Sequence, residues 1–192
     1  MFDEKGQLHT LEGVAASTLI LLVIIYAIDA TSMTPLTSST SNVHIETELL
    51  MLGQDILNNL DYAEPGYNSN LTNDILNWDG RTYVLSDGTN YTEWGNISHR
   101  LSNNITDILY LTLVQKGIAH KLELTYLGKN GTSFYSETMI DNGNPSDNAM
   151  IVSRKIVLQN SVTIASENPI NDIDRSSNLY NIVLVKLYLW RM

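Results

Sequence analysis

Cysteine is absent from this sequence of 192 residues. The absence excludes a disulfide framework, thiolate metal sites and a cysteine nucleophile. Basic residues are scarce, because 11 Lys and Arg stand against 21 Asp and Glu and leave a formal net charge of −10. A surface this acidic repels phosphate backbones, so we expect no nucleic-acid partner. The sequence also lacks a phosphate-binding loop and a dinucleotide fingerprint, and we expect neither a cofactor nor an enzymatic activity.

A long apolar run lies near the N-terminus. Residues 13–28 carry no charge and are bounded by Glu12 and Asp29. As a helix, this run would cover roughly 24 Å, slightly less than the ~30 Å hydrocarbon core of a bilayer. Because neighbouring residues can extend it, the run predicts a hydrophobic N-terminal helix over residues 8–33, as a membrane span or a filament core.

The distribution of charge around this run predicts its orientation. Lys5 precedes the run, and the next basic residue after it is Arg81. The 52 residues 29–80 contain eight acidic side chains and no Lys or Arg. The positive-inside bias therefore predicts a cytoplasmic N-terminus and an extracellular body.

Such a segment can be processed or retained in three ways. A cleaved secretory signal has a basic start and a small-residue exit, whereas this chain starts Met-Phe-Asp-Glu-Lys. A permanent signal anchor needs no further feature. The third way is indicated by the stretch KGQLHTLEG at residues 5–13, which resembles the class III signal of archaeal type IV pilin-like proteins.

The resemblance implies a processed leader and an assembly role for the segment that follows. Residues 1–7 would be the leader, cut by a prepilin-type peptidase after Gly6 or after Gln7. Glu12 would then be the sixth or the fifth residue of the mature chain. The resemblance further implies self-association through N-terminal helices, with the pilus assembly machinery and the membrane as partners.

The position of Glu12 has a physical interpretation of its own. A carboxylate in a membrane helix is costly, by about 2.5–3.5 kcal/mol at the bilayer centre and less near the interface. A neighbouring subunit's new α-amine, largely cationic at neutral pH, could pair with Glu12 and set the helix register. The small residues Gly13 and Ala16 would permit close helix approach. Alternatively, Glu12 lies at headgroup level near the positive end of the helix dipole.

A second resemblance extends along the whole chain. Residues 31–46, 143–158 and the ending YNIVLVKLYLWRM at residues 180–192 are similar to a family of uncharacterised haloarchaeal proteins. The resemblance implies an archaeal cell-envelope protein with a pilin-type N-terminus, and it implies no known activity.

The remaining sequence predicts a hinge and a head domain. Pro35 and the Thr/Ser-rich residues 37–41 interrupt the first helix, which indicates a hinge at 34–42 and an extracytoplasmic head at 43–192. Apolar residues at helical spacing predict a helix from Asn42 to Leu60, with the stripe Ile45, Leu49, Leu52, Ile56 and Leu60.

Alternation of apolar and polar residues predicts strands in the second half of the chain. Four strands are expected at 118–126, 133–140, 149–158 and 180–192, after a short helix near 101–112 that Gly117 ends. Residues 61–99 read as loops and short hairpins. The predicted fold is α+β: a hydrophobic N-terminal helix, then a two-layer head with helices packed on an antiparallel sheet of about four strands.

Several polar residues are candidates for binding or modification. The histidines lack metal-site spacing, and His120 falls in the apolar register of a strand, as expected for a core histidine. The stretch DNGNPSDN offers calcium-type oxygen ligands, although an Asx/Pro turn explains it equally well. Its weak calcium candidates are Asp141, Asn144 and Asp147. The glycosylation candidates are the sequons at Asn70, Asn90, Asn96, Asn104 and Asn130.

These features support two hypotheses of function. In the first, the protein is a structural pilin-like subunit of an archaeal surface filament or pseudopilus, assembled through its N-terminal helix. In the second, it is a single-span, membrane-anchored extracellular binding or adhesion module that does not polymerise. Both place the protein in the cell envelope with its head outside the cell.

Overall fold

The computed structural model describes residues 13, 14, 16–21, 23, 40–129, 131–160 and 164–191. The chain divides into two compact units, Met1–Val43 and His44–Met192.

In the first unit, the described residues of the apolar run (13, 14, 16–21 and 23) are helical and exposed. The hydroxyls of Ser17 and Thr18 donate to the Val14 carbonyl over 2.9 and 2.8 Å, a bond that leaves helical backbone intact. Among the described residues, no helix is both long and apolar enough to cross a membrane. The prediction of a long hydrophobic N-terminal helix over residues 8–33 is therefore contradicted for the described residues, and the other positions of that range lie outside them.

The second unit is built on a mixed sheet. Its strands are β1 (Tyr83–Ser86), β2 (Asn90–Glu93), β3 (Asn96–Leu101), β4 (Ile118–Leu127), β5 (Phe134–Asp141), β6 (Met150–Gln159) and β7 (Leu179–Arg191). Their order across the sheet is β3-β2-β1-β5-β4-β7-β6. The described helices of this part are α1 (Thr40–Leu60), α2 (Asn70–Leu76) and α3 (Asn104–Thr112), with a 3₁₀ turn at Val114–Lys116.

The prediction of an antiparallel sheet of about four strands is wrong. The four predicted strands are present as β4 to β7, but β1 to β3 add three more from the region expected to hold loops and short hairpins. The sheet is mixed because β1 joins β5 in parallel, through the pair Tyr83 and Ile140. Parallel neighbours need a long crossover, and here β2, β3, α3 and β4 lie between the two strands in sequence.

The core lies on one face of the sheet. Leu122 and Leu124 of β4 face Leu187 and Val185 of β7, and all four side chains are buried. From α1, the predicted apolar stripe contributes Leu49, Ile56 and Leu60 as buried residues and Ile45 and Leu52 as half-buried ones. The expected helix face is thereby confirmed.

Gly53 explains how closely α1 approaches the sheet. A Cβ atom at this position would lie 2.7 Å from Leu189 Cδ1 and 2.7 Å from Val152 Cγ2. Glycine in a helix interior is unfavourable by about 1 kcal/mol relative to alanine, and here the close packing of helix on sheet requires it.

Candidate ligand-binding pocket

A pocket opens where the parallel pairing of β1 and β5 stops. β5 ends at Asp141, one residue beyond the pair Tyr83 and Ile140, so β1 and β4 have no strand between them from there on. The resulting pocket has a volume of about 370 Å³ and is lined by β1, the turn after β2, the 3₁₀ turn, the start of β4 and the residues that end β5. Small-molecule sites are typically ~300–1,000 Å³, so the space fits a small ligand.

The side chain of Asn142 bridges the gap left by the missing strand. Its Oδ1 accepts a hydrogen bond from the Leu85 backbone N–H over 2.7 Å, and its Nδ2 lies 2.9 Å from His120 Nε2. A backbone N–H can only donate, so this contact fixes which end of the amide faces Leu85. Asn142 therefore ties β1 to β4 and forms one wall of the pocket.

The same contacts fix the protonation state of His120. Since the Asn142 amide group and the Tyr91 hydroxyl, at 2.7 Å, both donate toward Nε2, this nitrogen is the acceptor of a neutral ring. The proton then lies on Nδ1, which is 3.4 Å from the Ile118 carbonyl oxygen. His120 is only 1% exposed, and burial lowers its pKa to about 4. The prediction of a satisfied core histidine is confirmed.

Trp94 lies at the mouth of this pocket. Its side chain is 74% exposed, whereas Trp78 and Trp190 are buried. Its backbone is held in place because Trp94 N–H donates to the Thr82 carbonyl over 3.0 Å and Gly95, with φ of 84°, completes the turn. Tryptophan is enriched at interfaces because it combines a large apolar ring with a polar N–H group, so Trp94 is a candidate contact for a ligand.

Asp141 supplies the charged side chain of the pocket lining. Its Oδ1 accepts a hydrogen bond from the Gly143 backbone N–H over 3.2 Å, and its Oδ2 lies 3.5 Å from Lys121 Nζ. Both side chains of this ion pair are partly exposed. The carboxylate is therefore held in place and retains further acceptor capacity.

A charged cluster adjoins Trp94 on its other side, around a second pocket of about 440 Å³. Arg81 lies 3.0 Å from Glu93, 3.4 Å from Asp79 and 3.6 Å from Glu167. The Tyr83 hydroxyl donates to Asp79 over 2.7 Å, and burial raises the pKa of this phenol. Partly exposed ion pairs contribute little stability, so the cluster chiefly sets the charge near the pocket.

Among the described residues, the side chains that line the pocket are mostly apolar, and both nitrogens of His120 already have partners. The groups that a ligand can contact are an apolar wall with Val84, Val114 and Ile118, the Trp94 ring and the Asp141 carboxylate.

The weak calcium candidates do not converge on one point. Asp141 borders the pocket and pairs with Lys121, while Asn144 and Asp147 are exposed in the following loop. Within the part of the chain that the structure describes, no group of three or more acidic or histidine side chains could hold a metal ion.

The sequon asparagines differ in their surroundings. Asn70 begins α2 and Asn96 begins β3, and both are exposed. The Asn90 amide donates to both carboxylate oxygens of Asp87, and the Asn104 amide donates to Asp74 over 3.1 Å. Asn130 lies outside the described residues.

The predicted processing and assembly residues fall mostly outside the described part of the chain. Gly6, Gln7 and Glu12 lie there, so their predicted roles stay predictions. Gly13 and Ala16 are helical and exposed, and a Cβ atom at Gly13 would meet nothing within 4 Å.

Comparison with known proteins identifies relatives without a described activity. The model of a family of unknown function (DUF7288) matches residues 5–189 of the chain. The chain is 32% identical over 191 residues to an uncharacterized protein of Archaeoglobus fulgidus, an alignment that covers 98% of this chain and 94% of the relative. No solved structure matches the chain.

Proposed function

The chain belongs to the DUF7288 family of unknown function, and we propose that it is a pilin-like subunit of an archaeal cell envelope. The subunit self-associates through its apolar N-terminal segment, in a surface filament or a pseudopilus, with the body of the chain outside the cell. The observation that carries the proposal is the uncharged run 13–28 directly after Glu12.

The exposure of this run supports a role in association. The described apolar side chains of Val14, Leu19, Ile20, Leu21 and Val23 are each between 60 and 66% exposed. Contiguous apolar surface of this kind marks contacts with other proteins or with lipid. Neighbouring copies of the same segment would bury it, and Gly13 and Ala16 would allow those copies to approach closely.

Glu12 has a specific role in this proposal. Removal of a leader after Gly6 or Gln7 creates an α-amine, whose reference pKa of about 7.7–8.0 leaves it largely cationic at neutral pH. In a bundle of such segments, this amine pairs with Glu12 of a neighbouring copy and sets the axial register. A carboxylate left unpaired in an apolar bundle would instead destabilise it by several kcal/mol.

The test is a comparison of Glu12→Gln with Asp29→Asn. Each substitution removes one carboxylate at one boundary of the run, so the second is a matched control for the loss of charge. We expect Glu12→Gln to stay with the membrane fraction and to disappear from the sheared-surface fraction, whereas Asp29→Asn stays in both. Equal amounts of both variants in the sheared fraction would contradict the pairing.

A second candidate function is favoured by the pocket beside Trp94. In this case the body of the chain is a binding module at the cell envelope, and the protein does not polymerise. The supporting observation is an exposed tryptophan on an ordered turn above a pocket of about 370 Å³. A change in Trp94 fluorescence when a small ligand binds, absent in Trp94→Phe, is the expected signature.

A further inference from the structure

We propose that the pocket beside Trp94 binds a small amphiphilic cation, an apolar body that carries an ammonium or guanidinium group. The apolar body fills the space next to Val84 and Ile118, and the cationic group lies between the Trp94 ring and the Asp141 carboxylate. This inference rests on the binding-module function and names the class of ligand for it.

The apolar part of the ligand follows from the pocket wall. Val84, Leu85, Val114 and Ile118 contribute aliphatic side chains from three separate elements, and Gly117 leaves space beside them. The polar wall that Asn142 and His120 form has its hydrogen bonds made within the protein. A ligand therefore gains by burying apolar surface there rather than by new hydrogen bonds.

The charge of the ligand follows from the ionisable groups that line the pocket. Asp141 and His120 are those groups, and His120 is neutral at pH 7 because its hydrogen-bond partners and its burial keep the proton off Nε2. Among the described residues that line the pocket, Asp141 is thus the one with a charged side chain. The ion pair of Asp141 with Lys121 is loose at 3.5 Å, so a ligand cation can share the carboxylate.

The surroundings of the mouth favour a cation as well. Beyond Trp94, Arg81 and His99 lie beside the three carboxylates of Asp79, Glu93 and Glu167, so negative groups outnumber positive ones there even with a protonated His99 ring. The pair of Asp141 and Lys121 is neutral as a unit. The local field at the mouth is therefore negative and raises the local concentration of cations.

Trp94 provides the third element of the site. Trp94 and Asp141 each line both the apolar pocket and the charged pocket, so the two pockets adjoin at these residues. Indole is the best partner among aromatic rings for a cation, with a gain of about 0.5–2 kcal/mol that depends on desolvation. A cation next to both the indole and the Asp141 carboxylate makes two favourable contacts that a neutral ligand of the same shape lacks.

The pocket is formed before any ligand arrives. Asn142 holds Leu85 of β1 and His120 of β4 at fixed spacing, and Tyr91 holds His120 from the other side. Preorganisation of this kind spares a ligand the free-energy cost of ordering the site. Binding should therefore need no rearrangement of the strands.

The experiment uses the full chain and three probes of nearly the same shape: phenethylammonium, 2-phenylethanol and phenylacetate. Titrations are followed by tryptophan fluorescence at pH 7, where Trp94 is the exposed indole. We expect the cation to bind roughly tenfold more tightly than the alcohol, as about 1.4 kcal/mol of cation contacts implies, and the anion to bind most weakly. Trp94→Phe should remove the fluorescence response.

Two charge variants test the role of Asp141 in opposite directions. Asp141→Asn should weaken the binding of phenethylammonium and reduce its advantage over 2-phenylethanol to the part that the Trp94 ring contributes. Lys121→Met, which frees the carboxylate, should raise the affinity for the cation and leave the alcohol unaffected. Asp147→Asn removes an exposed carboxylate from the neighbouring loop and should change neither affinity.

The outcomes test the class of ligand and the binding-module function separately. Equal affinities for all three probes, with the response still lost in Trp94→Phe, would overturn the preference for cations and leave the binding module standing. The absence of any response in the wild-type chain would overturn both. A preference for the cation that is undiminished in Asp141→Asn and unchanged in Lys121→Met would overturn the assignment of the carboxylate.

Discussion

The Tyr91 hydroxyl donates a hydrogen bond to Nε2 of His120 over 2.7 Å, although β1 and β5 separate their two strands in the sheet. Both residues are buried, at 2% and 1% exposure. The bond connects the strands added at one edge, β1 to β3, with the larger part of the sheet. Because Nε2 is an acceptor here, the contact depends on a neutral imidazole.

We predict that His120 makes the protein sensitive to mild acid. Its pKa is about 4 in the folded protein, lowered by burial from the ordinary 6.5. At pH above 6.5 the ring is neutral in both states, and its contribution to folding is fully present. As the pH falls from 6.5 toward 4, the unfolded chain binds a proton that the folded chain does not. The free energy of unfolding then drops by up to ~1.4 kcal/mol per pH unit, about 3 kcal/mol in all.

Urea unfolding at pH 7.5 and pH 5.0 checks this prediction. His120→Gln keeps a polar side chain but does not titrate, so it controls for the many carboxylates. Between the two pH values, the wild type should lose about 2 kcal/mol more than the variant. Identical losses in the two proteins would show that His120 is not the group responsible.

We predict that Gly53→Ala destabilises the protein, although alanine is the better helix former. The new Cβ would lie 2.7 Å from buried atoms of Val152 and Leu189, so these side chains or α1 must shift. Overpacking of this kind costs about 1–3 kcal/mol, against a gain of about 1 kcal/mol in helix propensity. The expected net loss is roughly 1 kcal/mol in the free energy of unfolding, measured by denaturant titration.

The background Val152→Ala provides the control for this clash. Removal of both Val152 methyl groups clears one of the two contacts, so Gly53→Ala should cost less in this background, while the contact with Leu189 remains. The two substitutions together would show a favourable coupling energy in a double-mutant cycle. Strict additivity would mean that the close approach of α1 is not the reason for glycine.

We predict that Asn181→Asp is among the most damaging single changes in the sheet. The fully buried Asn181 amide group donates to the Leu127 and Asn171 carbonyls, each over 2.8 Å. Its oxygen accepts from the Leu127 and Ile182 N–H groups. A carboxylate cannot donate to two carbonyls, and a buried uncompensated charge costs about 3–5 kcal/mol.

Thermal or denaturant unfolding of three proteins measures this effect: the wild type, Asn181→Asp and Asn178→Asp. The last carries the same chemical change at an exposed position three residues away. Its free energy of unfolding should stay within about 0.5 kcal/mol of the wild type. A similarly small effect at Asn181 would contradict the hydrogen-bond arrangement.

The long periodic elements of this fold were predictable from the sequence. Most of these elements, α1 and β4 to β7, have ten or more residues. Their pattern of apolar and polar positions therefore repeats often enough to be recognised in the sequence. β1 and β2 have four residues each, too few to show a period. Their place in the sheet, and the parallel pairing of Tyr83 with Ile140, depend on contacts between distant parts of the chain.

The pocket could not be predicted because its lining comes from five separate segments. His120 was recognised as a core residue, but its partners Tyr91 and Asn142 are 29 and 22 positions away. The signal that could have pointed to the site is Trp94, a large aromatic residue among the polar turn residues of TEWGN.

The proposal of a processed, pilin-like subunit is tested most directly by the mass of the N-terminal peptide. The native protein would be taken from the membrane fraction and from the sheared-surface fraction. We predict that the chain in the sheared fraction begins at Gln7 or Leu8. An intact Met1 confined to the membrane fraction would contradict the proposal and would favour the binding module that does not polymerise.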